Sequence, residues 1–386
     1  MKGNTQLRQE NIRRLLGEIR DRAPITKREL QDITGFSWGN ISFITNKLLI
    51  ERYIVPSGKQ ETSVGRKPEE YDINTAENLI IGVDYHSGGF VLVVTDLRGR
   101  PVYSDRRTFP EHDMRLQMNI LFDAIDKAIA SYSKELIRYI AVGMQGVVDP
   151  ENGKVLRLGH LVDDSPYPIC EVLEQRYQLP AMLIHDPDCA MRAEMSHGVL
   201  KNSGVSTALL IRLEKRGSGM SIMMNNRLCT GSHGRAGEIG RMLIPYNGES
   251  GYTYLDWLTP EAGISYLYRE LSGTDADVTY DQVAELARNG DIICMDIFHR
   301  LTVGIGMALI NVVNLFNPEC VVLFGDLRQY ADLYMDTLLD LLVENAYDTS
   351  VRLLLSDLDN DAAAAGAALW AADRVMNELT FSEMGE

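Results

Sequence analysis

The hydrophobic period of this chain changes once, between residues 73 and 79, and that change limits what it can fold into. Before it, apolar residues recur at helical spacing. Ile12, Leu15, Leu16 and Ile19 share one helical face. Thr26 and Glu29 form a capping box for a second helix, with Leu30 and Ile33 as its apolar side. Gly35 marks a tight turn, and Ser37 caps a third helix whose inner face is Ile41, Ile44 and Leu48. Residues 52–74 then read strand, polar turn, strand. Two short helices joined by a glycine turn and followed by a hairpin predict a winged helix-turn-helix over 1–75.

The outer face of the third helix is expected to present Trp38, Asn40, Ser42 and Lys47 to DNA, with Trp38 alternatively packing on the wing. Asn and Ser address base edges, and Lys addresses phosphate. The wing tip carries "GRKP", in which Gly65 is followed by Arg66 and Lys67, suited to phosphate or a narrow minor groove. The alternative is a protein-interaction module with a solvated basic turn. Charge supports two jobs in one chain. Residues 1–73 carry a net +3 and the remainder a net −19, within a total of −16.

From residue 79, strand-length apolar blocks alternate with amphipathic helices, and the alternation occurs twice. This predicts two α/β lobes over 76–386. Lobe one takes about 76–190 plus the C-terminal helix, and lobe two takes about 191–365. The five cysteines contain no CxxC pair, which argues against a disulfide framework or zinc knuckle and fits a reducing cytoplasm. The N-terminus shows no apolar signal segment, and the apolar run 301–316 is short and broken by Asn311 and Asn314. It reads as a buried helix, and no membrane partner is expected.

Five segments in order then resemble the ROK family of repressors and sugar kinases. They are the helix-turn-helix with "GRKP", "AVGMQGVVDPENGKVL", "HDPDCAMRAE", "GSHGRAGEIGRM" and "NLFNPECVVLFGD". The resemblance covers essentially the whole chain. It implies an actin-like, hexokinase-like (ribonuclease H-like) ATPase fold behind the winged helix. It also implies that Asp186 occupies the position of the kinase base and Glu238 that of the glutamate holding sugar hydroxyls. His160, His185 and Arg241 fall at other family sugar-site positions, so the effector set is His160, His185, Asp186, Glu238 and Arg241.

Departures from the family pattern are as telling. "DYHSGG" (84–89), "KRGSGMS" (215–221) and "FGD" (324–326) stand where family kinases carry glycine-rich phosphate loops. Phosphates need close backbone approach, which side chains block. The family's zinc-binding cysteine run is missing, Arg241 replaces a histidine, Tyr254 stands at a cysteine position and Asp256 falls near the glutamate that ends the run. No zinc, no ATP and no catalysis are therefore expected, with Tyr252, Tyr254 and Trp257 bracing the loop in place of metal. The resulting expectation is a cytoplasmic repressor of carbohydrate genes. Its partners would be operator DNA, a sugar-type effector and further copies of itself, as a homodimer or homotetramer. An active sugar kinase, or a regulator controlled by a protein partner, are the alternatives. The added histidines and arginine suggest an anionic sugar; the competing expectation is a drifted pocket for a neutral one.

Overall fold

The computed structural model describes residues 4–59, 68–109, 113–158, 166–246 and 251–379. The chain gathers into two compact units: Met1–Gly146 with Pro150–Ile184 and Ala364–Glu386, and Val147–Asp149 with His185–Ala363.

The first unit opens with α1 (Asn4–Arg22), β1 (Ile25–Thr26), α2 (Lys27–Thr34), α3 (Trp38–Ile50), β2 (Ile54–Lys59) and β3 (Glu69–Ile73). Its core consists of the residues whose spacing marked them as inward: Ile12, Leu15, Leu16, Ile19, Ile41, Ile44 and Leu48 are at most 2% exposed. The capping box is made, with Glu29 N donating to Thr26 Oγ1 at 3.2 Å and Thr26 N donating to Glu29 Oε2 at 2.8 Å. Gly35 closes α2 at φ 71°, and Ser37 Oγ accepts from Asn40 N at 3.3 Å. Ile33 departs from expectation and is exposed, while Thr34 is buried and donates to Leu30 O. At about 100° per residue, Leu30 and Thr34 lie about 40° apart, whereas Ile33 lies about 60° to the other side of Leu30. The strand order β1-β3-β2 completes the winged helix.

The same unit continues with β4 (Leu79–His86), β5 (Gly89–Thr95), β6 (Pro101–Thr108), α4 (Met114–Tyr132) and β7 (Ile137–Met144). After β8 (Val147–Asp149) come β9 (Lys154–Arg157), α5 (Ile169–Tyr177) and β10 (Ala181–His185). The sheet order is β10-β7-β4-β5-β6. The hairpin strands β4, β5 and β6 are antiparallel and β7 is parallel to β4.

The second unit holds α6 (Asp186–His197), β11 (Ala208–Glu214), β12 (Gly217–Met224), β13 (Arg227–Leu228), β14 (Leu243–Tyr246), β15 (Gly251–Tyr254), α7 (Leu255–Leu258), α8 (Glu261–Ser272) and α9 (Tyr280–Arg288). It ends with α10 (Ile292–Phe316), β16 (Cys320–Phe324), α11 (Met335–Asn345) and β17 (Arg352–Leu355). Its sheet order is β13-β12-β11-β16-β17. Three antiparallel strands followed by parallel ones, in one order twice, is the duplicated plan of the hexokinase-like fold. α10 is long and apolar enough to cross a bilayer. Its Leu301, Ile305, Leu309 and Val312 nevertheless belong to the core of this unit, so it is a core helix here.

α12 (Ala362–Glu378) lies mostly in the first unit. It rests on β4 at Gly82, where a Cβ would come within 2.2 Å of Ala364 O. Ion pairs fasten the winged helix to the rest of this unit. Arg20 reaches Asp373 of α12 at 2.6 Å. Arg98, in the β5–β6 turn, pairs with Asp72 of β3 at 2.5 Å and donates to the carbonyl of Arg20 at 3.0 Å. Arg98 is only 10% exposed, so the contact is more than a surface pairing.

Candidate functional site

On the winged helix, Trp38 is exposed, and Asn40, Ser42 and Lys47 are half-buried on α3. Arg66, Lys67 and His160 lie outside the described residues. The most open ridge of α3 runs through Gly39, Phe43, Asn46 and Ile50, residues the sequence reading did not single out. That ridge has no cation of its own. Its positive charge comes from neighbouring helices: the Arg8 guanidinium lies 4.5 Å from the centre of the Phe43 ring, and Lys27 Nζ donates to Asn46 Oδ1 at 3.1 Å. Burial lowers the Lys27 pKa, with Glu69 opposing the shift. A helical period run outward from the buried Ile41, Ile44 and Leu48 could have found this ridge; the cations on α1 and α2 could not be found that way.

In the second unit the effector residues gather around the start of α6. His185 holds the N-cap position without a side-chain cap bond, and Asp186 is the first helical residue. Asp186 Oδ2 pairs with Arg212 Nη1 at 3.1 Å, and His185 Nε2 lies 3.9 Å from the other oxygen of Asp186. Arg212 is only 5% exposed and also reaches Glu214 Oε1 at 2.9 Å. The sequence reading missed Arg212; in "ALLIRLE" it looks like an outward residue of an alternating strand. Burial pushes the Glu214 carboxyl up to about 8, against the opposing charge of Arg212. Asp186, which the resemblance sets at the kinase-base position, is thus paired with a buried arginine.

Three further carboxylates flank it. Asp188 Oδ1 accepts from Ser221 Oγ at 2.6 Å, and burial raises its pKa, with His185 opposing. Asp256 Oδ1 accepts from the backbone N and the hydroxyl of Ser218 at 2.7 and 2.8 Å. Its pKa is raised by burial, with Ser218 opposing. Glu238 is exposed. The protein around Glu238 raises its pKa first, His185 opposes, and Asp256 and Asp186 raise it further. Among the described residues Glu238 alone of these four carboxylates has no hydrogen-bond donor. Arg241 is exposed and stacks on Tyr254, 4.2 Å from the ring centre.

The glycines here serve packing. A Cβ on Gly219 would come within 2.7 Å of Pro187 Cγ, one on Gly237 (φ 98°) within 1.9 Å of Met220 O, and one on Gly240 within 2.2 Å of Asp256 Oδ2. They let α6, β12 and the Glu238 turn close on one another. The expected aromatic brace is partial: Trp257 packs edge-on against Tyr266 at 5.1 Å, but Tyr252 is 71% exposed. The reason is the β14–β15 hairpin, which alternates its side chains and turns Tyr252 to solvent.

The segments that the resemblance sets at the phosphate-loop positions bond their amides within the protein, in each unit separately. In the first unit, Ser87 N donates to Gln145 Oε1 at 3.0 Å and Gly88 N to His86 Nδ1 at 3.2 Å. In the second, "GSG" is not a loop at all but the start of β12, paired with Glu214 and Arg212 of β11. Ser218 N goes to Asp256, and Asp326 N goes to Glu214 Oε2 at 3.3 Å. These backbone donors are bonded to the protein's own side chains. Among the described residues no group of three or more His, Cys, Asp or Glu side chains is arranged to hold a metal ion.

Comparison with known proteins decides the family. The ROK family model matches residues 80–374. The chain belongs to the ROK family. It is a transcriptional regulator of that family. The xylose repressor of Bacillus subtilis (strain 168) is 24% identical over 97% of this chain and 98% of its own length. The dual regulator NagC of Escherichia coli (strain K12) is 24% identical over 94% of this chain and 92% of its own. In structure, a ROK family transcriptional regulator described as a homolog of E. coli MLC superposes with TM-score 0.80 over 96% of this chain and 97% of its own, at 22% identity. A ROK family glucokinase from Streptomyces griseus gives TM-score 0.61 at 22% identity, covering 98% of its own chain but 75% of this one. The likeness to regulators spans the winged helix as well as the body.

Proposed function

We propose that this protein is a sugar-responsive, non-catalytic repressor that binds operator DNA through residues 1–75 and a neutral polyhydroxyl effector at Glu238 and Asp186. The observation that carries this reading is the Asp186–Arg212 ion pair. A base has to become protonated when it takes the hydroxyl proton, and the buried Arg212 guanidinium on Oδ2 favours the ionised carboxylate over the protonated acid. The carboxylate still accepts a hydrogen bond, which is what recognition of a hydroxyl requires. The inward-turned amides support the same reading by leaving ATP no phosphate cradle.

The carboxylates around Glu238 favour a neutral ligand over the anionic one suggested by His185 and Arg241. An anion would meet Asp186, Asp256 and Glu238, while Arg212 is committed to Asp186 and Glu214 and Arg241 stacks on Tyr254. Trp38, Asn40, Ser42, Lys47, Arg66 and Lys67 form the proposed DNA contacts, with paired copies of the chain matching a two-fold operator. A cytoplasmic location and carbohydrate target genes go with this reading, as does a site that works without zinc. Calorimetry against neutral sugars, sugar phosphates and ATP tests it. Binding of a neutral sugar without nucleotide is expected; ATP binding followed by sugar phosphorylation would overturn the reading.

A further inference from the structure

The open ridge of α3 carries an unusual chemistry for a surface meant to meet a polyanion. Gly39, Phe43 and Asn46 recur at spacings of four and three and lie on one line of the helix. Nothing lies within 4 Å of where a Cβ on Gly39 would stand, so the backbone there has open space in front of it. Phe43 stays 36% exposed although it belongs to a helix with a well-formed buried face. Charge stands beside the ridge: Arg8 over Phe43, and Lys27 against Asn46. The cations thus stand in contact with the ridge itself, which offers one aromatic ring and one amide.

Base edges in the major groove answer to those groups selectively. The apolar group a base pair shows there is the thymine C5-methyl, and the base edge that best matches a side-chain amide is adenine N6/N7. Phe43 and Asn46 are three residues apart, about 4.5 Å along the helix, and successive base pairs are about 3.4 Å apart. We infer that α3 reads a thymine through Phe43 and an adenine on the neighbouring base pair through Asn46, with Arg8 and Lys27 as phosphate anchors. This rests on the proposal that residues 1–75 bind DNA, and it adds which bases are read and by which side chains.

The test uses the full-length protein to select binding sites from a random DNA pool. Each thymine of the selected site is then replaced singly by deoxyuridine, which removes only the methyl group. One thymine per half-site is expected to lose about fourfold in affinity on that replacement, the weight of one buried methyl. Phe43→Ala should bind the thymine site correspondingly less well and be indifferent to the replacement, while Phe43→Leu should keep part of the sensitivity. Asn46→Ala should relax the adjacent adenine by about tenfold, within the range of one bidentate contact. Arg8→Ala should lower the salt dependence and leave the methyl effect in place. Selected half-sites without neighbouring thymine and adenine, deoxyuridine that is silent throughout, or a methyl effect that persists in Phe43→Ala would each overturn the inference. Failure to enrich any DNA would instead sink the DNA-binding reading itself.

Discussion

The α3 ridge and the carboxylate cluster at the start of α6 handle polar chemistry in opposite ways. On the ridge, charge is borrowed from neighbouring helices and stands in the open. In the cluster, Asp186, Asp188 and Asp256 are each bonded to a partner from the second unit, and Glu238, which is exposed, alone of the four has no hydrogen-bond donor among the described residues. Groups already satisfied inside the protein shape and stiffen a site, and groups left open meet the ligand. By that reasoning we propose that Glu238 is the carboxylate most open to a ligand, that Asp186 accepts a hydroxyl through its remaining lone pairs, and that Asp188 and Asp256 serve as framework.

The largest effect that could break this contrast comes from Arg212. Arg212→Ala leaves Asp186 and Glu214 without their buried cation and should cost about 3–5 kcal/mol in urea unfolding. Adding Asp186→Asn and Glu214→Gln to Arg212→Met should recover most of that loss. A cost under about 1 kcal/mol would mean that the pair is not framework. Next in size, Glu238→Gln should weaken binding of the neutral effector about tenfold while changing stability by less than about 0.5 kcal/mol. An equal loss of stability would place Glu238 with the framework. Arg98→Ala should speed amide hydrogen exchange in the last turns of α1, which Arg98 caps, by about tenfold and leave exchange in α10 unchanged.

A separate effect is graded with pH. Glu214 has a folded pKa of about 8 against an ordinary 4.5. The folded state therefore holds the proton more tightly than the unfolded one. Its contribution to stability is fully present below about 4.5, falls as pH rises and is gone above about 8. Glu214→Gln should flatten that part of the stability profile; a slope of the opposite sign would show that the carboxyl is ionised in the folded protein.

How much of this was legible in the sequence depended on how local the cause was. The winged helix was readable because Thr26, Glu29, Gly35 and Ser37 act within four residues of themselves, and because its core positions follow one period. The two lobes were readable from their strand-and-helix alternation, although the shared strand order of the two sheets was not. Arg212 escaped notice because its meaning depends on Asp186, which lies on another element. Gly219, Gly237 and Gly240 illustrate a second limit. A glycine that admits a phosphate and one that admits Pro187, Met220 or Asp256 look alike as letters, since both roles need only the absence of a Cβ. Tyr252 was assigned to bracing although its place in the β14–β15 pleat turns it outward.

The most direct test of the account is fluorescence anisotropy of a labelled operator, selected by the protein itself, titrated with neutral sugars in the absence of nucleotide. The account predicts that one neutral sugar releases the DNA or tightens its binding, that Glu238→Gln blunts the response, and that ATP adds nothing. A response that requires ATP, accompanied by conversion of the sugar to its phosphate, would contradict it.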